Sequence, residues 1–149
     1  MIREARLDDL RRLEACAREF YAQSRFLKGF DPERFEAFWT SLLEQEMGVI
    51  FLLVSDRDGE IEGTLGGVIY PEPYSGARIA TEFFWFVHQA RRGEGLKLLR
   101  AFESWARAKG CAQIRMAHLV DLMPAKLETV YRRFGYTPAE VQYLKELES

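Results

Sequence analysis

Residues 87–97 read Val-His-Gln-Ala-Arg-Arg-Gly-Glu-Gly-Leu-Lys and lie between an aromatic, strand-like run and a segment of helical periodicity. A helix N-terminus exposes unpaired amides and the positive end of the helix dipole, and both suit a phosphate. Gly93 and Gly95 let the backbone approach a bulky anion with no Cβ in the way, and Arg91 and Arg92 add charge beside the same spot. The same residues also suit a tight strand-to-helix turn with solvated arginines. Two other phosphate motifs are absent: the chain has no GxxxxGK[ST], and no GxGxxG follows a strand with an acid about 20 positions on.

Several side chains could move protons. Glu82 is the only acid on the aromatic run, with Phe83, Phe84, Trp85 and Phe86 following it. Strand alternation puts Glu82 on one face with Phe84 and Phe86, opposite Phe83, Trp85 and Val87. Aromatic walls would raise its pKa towards neutrality and suit a general base. An ordinary carboxylate paired with Arg78 is the alternative. His88 and His118 are further candidate bases, although a lone histidine is more often simply packed or exposed. Tyr131 shares an apolar helical stripe with Val130 and Phe134, the pattern of a core tyrosine.

These residues need elements to hold them. Residues 2–6 form a short strand candidate. Asp8 and Asp9 open a first helix that periodicity carries to about residue 24. Asp31 and Pro32 open a second helix with Phe35, Phe38, Trp39, Leu42 and Leu43 on its stripe, ended by Gly48. Residues 49–55 are a continuous apolar strand, residues 56–59 a turn, and residues 60–70 the returning strand, where Gly66 and Gly67 suggest a bulge or close packing. Residues 77–88 are a third long strand. A helix follows from about Gly95 to Lys109, stopped by Gly110. Then come a strand at 112–120, a helix at 124–134 ended by Gly135, and extended segments at Tyr136 and 141–147. The order β-α-α-β-β-β-α-β-α-β predicts one α/β (α+β) domain over 1–149, a central mixed and mostly antiparallel sheet with helices on both faces.

On these features the chain resembles the GNAT superfamily of N-acetyltransferases. In that family a strand ending in Val is followed by an Arg/Gln-x-x-Gly-x-Gly/Ala turn and a helix, whose amides grip the CoA pyrophosphate. Arg92, Gly93, Glu94, Gly95, Leu96 and Lys97 occupy those positions, with matches at Arg92 and Gly95 and the frequent RGxG form at Gly93. Lys97 departs, standing where Gly or Ala is usual, so either the phosphate packs differently or this side chain points out. Gln89 replaces a frequent Pro. The opening strand and helix, residues 83–88, and the 130–136 segment resemble family elements in the same order, so the resemblance covers most of the chain. The segment 140–145 is similar to that of short, phage-type members.

The resemblance implies acetyl-CoA as co-substrate, no metal, and direct attack by a primary amine without an acyl-enzyme. It implies that the pantetheine arm pairs with the backbone of Phe86, Val87 and His88. Glu82 would take the amine proton, directly or through water. Tyr131, matching the Y-x-x-x-G-F/Y signature, would protonate the departing thiolate. The Asn and Ala usual before this tyrosine fall on Pro124 and Leu127. The acceptor, a small-molecule or peptide amine, would meet Phe20, Tyr21, Phe26, Phe30 and Trp85; these form either an apolar pocket or, as composition favours, plain core. A homodimer fits the resemblance. The rival readings are a catalytically inactive CoA-binding module and an inert α/β core.

Composition narrows the class. With 149 residues, 48% hydrophobic and 30% charged, the chain has the balance of a soluble globular domain. A net charge of −2 argues against a nucleic-acid binder. Cys16 and Cys111 lie far apart with no Cys/His cluster, so neither a disulfide framework nor a zinc site is expected, and two buried thiols are. The first residues lack a signal peptide's apolar core, and no apolar stretch approaches the roughly 20 residues a membrane span needs. A cytoplasmic location is the expectation.

Overall fold

The computed structural model describes residues 1–148, in which five strands form one sheet ordered β1-β2-β3-β4-β5. They are β1 (Ile2–Glu4), β2 (Gly48–Val54), β3 (Ile61–Pro71), β4 (Arg78–Val87) and β5 (Gln113–Arg115). The helices are α1 (Asp9–Arg12), α2 (Glu14–Ala22), α3 (Pro32–Glu44), α4 (Gly95–Ala108) and α5 (Pro124–Arg133). The first four strands pair antiparallel, and β5 joins β4 in parallel.

Helices cover both faces. On one face, Leu10, Leu13, Cys16 and Trp39 from the first three helices pack against Ile50, Leu52, Val68 and Phe86. On the other, Leu98, Phe102 and Trp105 of α4 pack against Val49, Phe51, Leu53 and Leu65. Every residue of β2 is buried, as a continuous apolar run in a central strand requires. Asp31 caps α3, its carboxylate accepting from the N–H groups of Glu33 (3.0 Å) and Arg34 (3.2 Å). Gly110 and Gly135, at φ of 74° and 86°, follow α4 and α5 in the left-handed conformation that ends a helix.

Four sequence expectations change. The first helix divides at buried Leu13, whose N–H bonds to both the Asp9 (3.1 Å) and Leu10 (3.2 Å) carbonyls, a tightened turn that resets the helix axis. Gly48 begins β2 rather than ending α3; Glu46, at φ 56°, makes the turn. The strand expected at 112–120 keeps only three residues. The strand expected at 141–147 does not form: Val141, Tyr143, Leu144 and Leu147 are all exposed, and Leu144 breaks their alternation.

The feature that shapes the site is a bulge in β4. Gly66 pairs with Phe84 and Gly67 with Glu82, so Phe83 is the extra residue. Phe83 and Phe84 both turn towards α3, where Phe83 stacks on Phe38 at 6.0 Å and Phe84 meets Trp39 edge-on at 5.3 Å. The two glycines opposite have no room for a side chain. A Cβ on Gly66 would enter the Phe84 ring; one on Gly67 would enter the Phe102 ring and lie 2.9 Å from the Thr81 carbonyl. Gly67→Ala is therefore expected to destabilise the fold by about 1–3 kcal/mol through overpacking. Urea unfolding measures this, and an unchanged midpoint would contradict the packing described.

Candidate functional site

The bulge reverses the alternation expected for Glu82. Glu82 faces the α4 side with its partner Gly67, whereas Phe84 and Phe86 face the helical layer of α1–α3. Pairing of β4 with β5 ends at Thr81 and Arg115. Beyond it, the Ala117 N–H turns to the Glu82 carboxylate at 3.1 Å. The Ala117 carbonyl accepts the Tyr131 hydroxyl at 2.7 Å. One backbone residue thus holds both candidate proton carriers on the same side of the sheet.

Their surroundings shift both groups upward. Glu82 is half-buried and makes no ion pair among the described residues, Arg78 included. Enclosure by protein pushes its carboxyl up to about 7, although the Ala117 N–H pulls the other way. Tyr131 is buried, and burial, then the charges of Glu82 and Tyr136, raise its hydroxyl well above the ordinary phenol value. It therefore keeps its proton. The tyrosine packs among Trp85, His118 and Tyr136 at ring-centroid distances of 6.2, 6.3 and 5.7 Å.

The two histidines stand apart from this pair in their bonding. His118 lies past the end of β5, not in it, with Nδ1 3.3 Å from the Leu119 carbonyl. His88 Nδ1 lies 3.2 Å from Glu19. The two cysteines are free thiols; Cys16 is buried, which pushes its thiol up to about 11, and Cys111 is half-buried.

The free edge of β4 differs from expectation by one residue. The His88 N–H bonds to the Glu62 carbonyl at 2.9 Å, so antiparallel alternation turns the backbone groups of His88 and Phe86 inward to β3. Trp85 and Val87 present theirs outward, to the gap between β4 and β5. The backbone groups of Phe86 and His88, expected to pair with a pantetheine arm, are thus taken up by β3, and those of Val87 and Trp85 are the ones facing outward.

Residues 89–94 form a 3₁₀ turn leading into α4. Gly95 is buried, and a Cβ there would lie 3.2 Å from Val87 Cγ2. Gly93 is exposed, and a Cβ there would meet nothing within 4 Å. Arg92 makes no ion pair among the described residues, its guanidinium reaching only the Met123 sulfur at 3.4 Å. Arg91 pairs with Glu62 (2.8 Å) and Glu94. Leu96 is half-buried, while Lys97 points outward and pairs with Glu94 at 2.9 Å. The Trp85 indole N–H is buried without a partner among the described residues and lies near the Gly95 Cβ position, at 3.7 Å. An open cradle, an unpaired cation and an orphaned donor fit a phosphate followed by an amide-bearing arm. No group of three or more His, Cys, Asp or Glu among the described residues is arranged to hold a metal.

Three further features had no local signal in the sequence. The Asp121 carboxylate accepts from Ser24 Oγ (2.9 Å) and the Arg25 N–H (3.0 Å), tying the loop after α2 to the loop before α5. Ninety-seven positions separate Ser24 from Asp121. The second feature is the Ala117 main chain, which no side-chain pattern could reveal. The third is a cavity of about 400 Å³ between the first three helices and the sheet. Phe20, Tyr21 and Phe30 line it, so these aromatics border a space rather than fill a core. Trp85 stands on the other face, and Phe26 is covered by Arg25 at 4.7 Å.

A family model described as the acetyltransferase (GNAT) family matches residues 7–136. No curated protein sequence matches the chain. Among solved structures, an aminoglycoside N-acetyltransferase in complex with CoA is 16% identical with a TM-score of 0.78, covering 100% of this chain and 95% of its own. Glucosamine-6-phosphate N-acetyltransferase from Arabidopsis thaliana is 17% identical with a TM-score of 0.76, covering 99% and 98%. Ribosomal-protein-alanine N-acetyltransferase from Brucella melitensis biovar Abortus 2308 is 18% identical with a TM-score of 0.71, covering 99% of each chain. At these identities the likeness is one of fold. No helix among the described residues is long and apolar enough to cross a membrane.

The raised Glu82 carboxyl has a consequence for stability. Its folded pKa of about 7 exceeds the ordinary 4.5 of the unfolded chain. The native state therefore binds more protons between those values, and stability falls as pH rises through that window. Glu82→Gln is expected to be more stable than the native chain at pH 8, by roughly 2–3 kcal/mol, and to lose that advantage by pH 4. Thermal unfolding at the two pH values measures it; an equal or lower melting temperature at pH 8 would contradict the desolvated carboxylate.

Proposed function

The chain belongs to the GNAT family of acetyltransferases, and from that premise we propose that it transfers an acetyl group from acetyl-CoA to a primary amine by direct attack. The observation that carries this reading is the meeting of Glu82 and Tyr131 on the two ends of Ala117. A base poised near neutrality can take the proton of the attacking amine, and a protonated phenol can donate to the departing thiolate, whose own basicity the same burial raises.

Arg92 and the open backbone at Gly93 would hold the pyrophosphate, and the outward groups of Trp85 and Val87 would pair with the pantetheine amides. The bound thioester supplies the activated acyl carbon. Glu82 takes the proton that the attacking amine must shed. Tyr131 releases the Ala117 carbonyl and gives its proton to the departing thiolate. The half-buried Trp85 ring and the buried Tyr131 ring would shield from water the spot where that charge develops. The named neighbours act on an aminoglycoside, a sugar phosphate and a protein alanine; acetylation of an amine is extended to this chain as part of the proposal.

One observation favours a second reading, a CoA-binding module without turnover. Glu94 engages both Arg91 and Lys97, so two cations near the phosphate cradle are already neutralised. Glu94→Gln removes a like charge from the anion's surroundings and should tighten CoA several-fold in calorimetry at low salt; weaker binding would contradict this placement of the phosphates.

Thiol release from acetyl-CoA across a panel of amines tests the proposal. The expected kcat/KM rises with pH to a plateau, with a midpoint near the Glu82 value of about 7. Glu82→Gln and Tyr131→Phe should each lower kcat by about 10²–10⁴-fold while leaving CoA affinity within a factor of about three. Saturable binding with no turnover on any amine would establish the second reading.

A further inference from the structure

The cavity behind β4 has a chemistry of its own. Its walls are aromatic: Phe20 meets Phe86 edge-on at 6.3 Å, and Phe30 meets Tyr21 and Phe35 at 5.3 and 5.7 Å. Its volume of about 400 Å³ lies within the range of small-molecule sites. Deep in it, Thr64 of β3 is only 3% exposed, and its hydroxyl has no hydrogen-bond partner among the described residues. A buried hydroxyl normally finds one. Thr64 pairs with Phe86 across the sheet and therefore points to the same face as that ring, into the cavity. The charged residues of the lining, Asp31 and Arg34, belong to the N-terminal end of α3 and pair with each other at 3.5 Å.

The cavity's place relative to Glu82 is set by the bulge. Phe83 and Phe84 line it, and Glu82 precedes them in the chain but faces the opposite side of the sheet. Beyond Thr81 no strand pairs with the outer edge of β4, so no ladder closes the side between the cavity and the face of the carboxylate. The phosphate cradle and Trp85 lie on the α4 face. A CoA arm on that face would leave the cavity on the opposite face free for the body of the amine.

We propose that the acceptor held in this cavity is a small amine whose body is an aromatic ring carrying one hydrogen-bonding group, such as a phenol. This rests on the acetyl-transfer reading above for the reaction, but not for the binding. The ring occupies the space between Phe20, Phe30 and Phe84, where edge-to-face contacts suit it. Thr64 Oγ1, able both to donate and to accept, meets the ring's polar atom. The amine on its arm reaches Glu82, forms the new bond to the acetyl carbon as the C–S bond breaks, and loses a proton to that carboxylate while Tyr131 protonates the thiolate.

Tyramine, phenethylamine and spermidine separate the alternatives, with calorimetry for binding and thiol release for turnover. Tyramine is expected to exceed spermidine at least about 10-fold in kcat/KM, because a polyamine gains nothing from apolar walls and leaves Thr64 unpaired. Thr64→Val, close in shape, should raise the tyramine KM about 10-fold, leave phenethylamine within about two-fold, and leave the acetyl-CoA KM unchanged. Ala17→Leu, which intrudes on the cavity from α2, should weaken both aromatic amines together.

A preference for spermidine, or a Thr64→Val enzyme that still favours tyramine over phenethylamine as the native one does, would overturn the proposal. Faster turnover with octanoyl-CoA than with acetyl-CoA, abolished by Ala17→Leu, would also overturn it by assigning the cavity to an acyl chain. Tyramine binding that weakens in Thr64→Val with no consumption of acetyl-CoA would support the ligand class while refuting acetyl transfer.

Discussion

A single extra residue in β4 is the constraint on which the site depends. Phe83 has no partner of its own on β3, because Gly66 and Gly67 pair with its neighbours Phe84 and Glu82. Without it, Glu82 would share a face with Phe84 and Phe86 and point into an aromatic layer. With it, the carboxylate crosses to the side where α5 brings Tyr131. The same irregularity stands where β4 and β5 part, so the edge carrying Trp85 and Val87 is left open. The glycines opposite are the condition for this geometry, since any side chain there would collide with Phe84, Phe102 or the β4 backbone.

The parting of β4 and β5 exchanges ladder hydrogen bonds for side-chain ones. Ala117, one of the first residues beyond the paired segment, gives its N–H to Glu82 and receives the hydroxyl of Tyr131. The main chain there is satisfied, but by groups able to change protonation state. Desolvation raises both pKa values: it makes the Glu82 carboxylate more basic and the Tyr131 phenol a weaker acid, so Tyr131 stays protonated. Asp121 joins the loops flanking this gap, so the helical layer and the α5 region are linked across it. The arrangement divides the molecule into an α4 face, with the open turn at residues 89–94, and an aromatic cavity on the opposite face.

Much of this was legible in the sequence, and the rest was hidden for identifiable reasons. The helix starting at Gly95, the cap at Asp31 and the stops at Gly110 and Gly135 are local signals, and the structure repeats them. Gly66 and Gly67 announced a bulge, but not which residue of the facing strand would be displaced; that depends on a pairing partner some fifteen positions away. The orientation of Glu82 followed the displaced residue and was therefore read one step wrong. So was the free edge, where Trp85 rather than Phe86 or His88 accompanies Val87. The terminal residues 141–147 have strand-forming types, but β5 is only three residues long and leaves little ladder to extend. Asp121 and Thr64 act through partners distant in sequence, and neither belongs to a motif.

The proposed chemistry rests on the desolvation of Glu82 beside Tyr131. A carbon-13 NMR titration of the Glu82 side-chain carboxyl, assigned by comparison with Glu82→Gln, addresses it most directly. The expected midpoint lies near 7, against 4.5 for an ordinary glutamate, with the Tyr131 phenol still protonated throughout. A midpoint at the ordinary value would show a solvated carboxylate and contradict the claim.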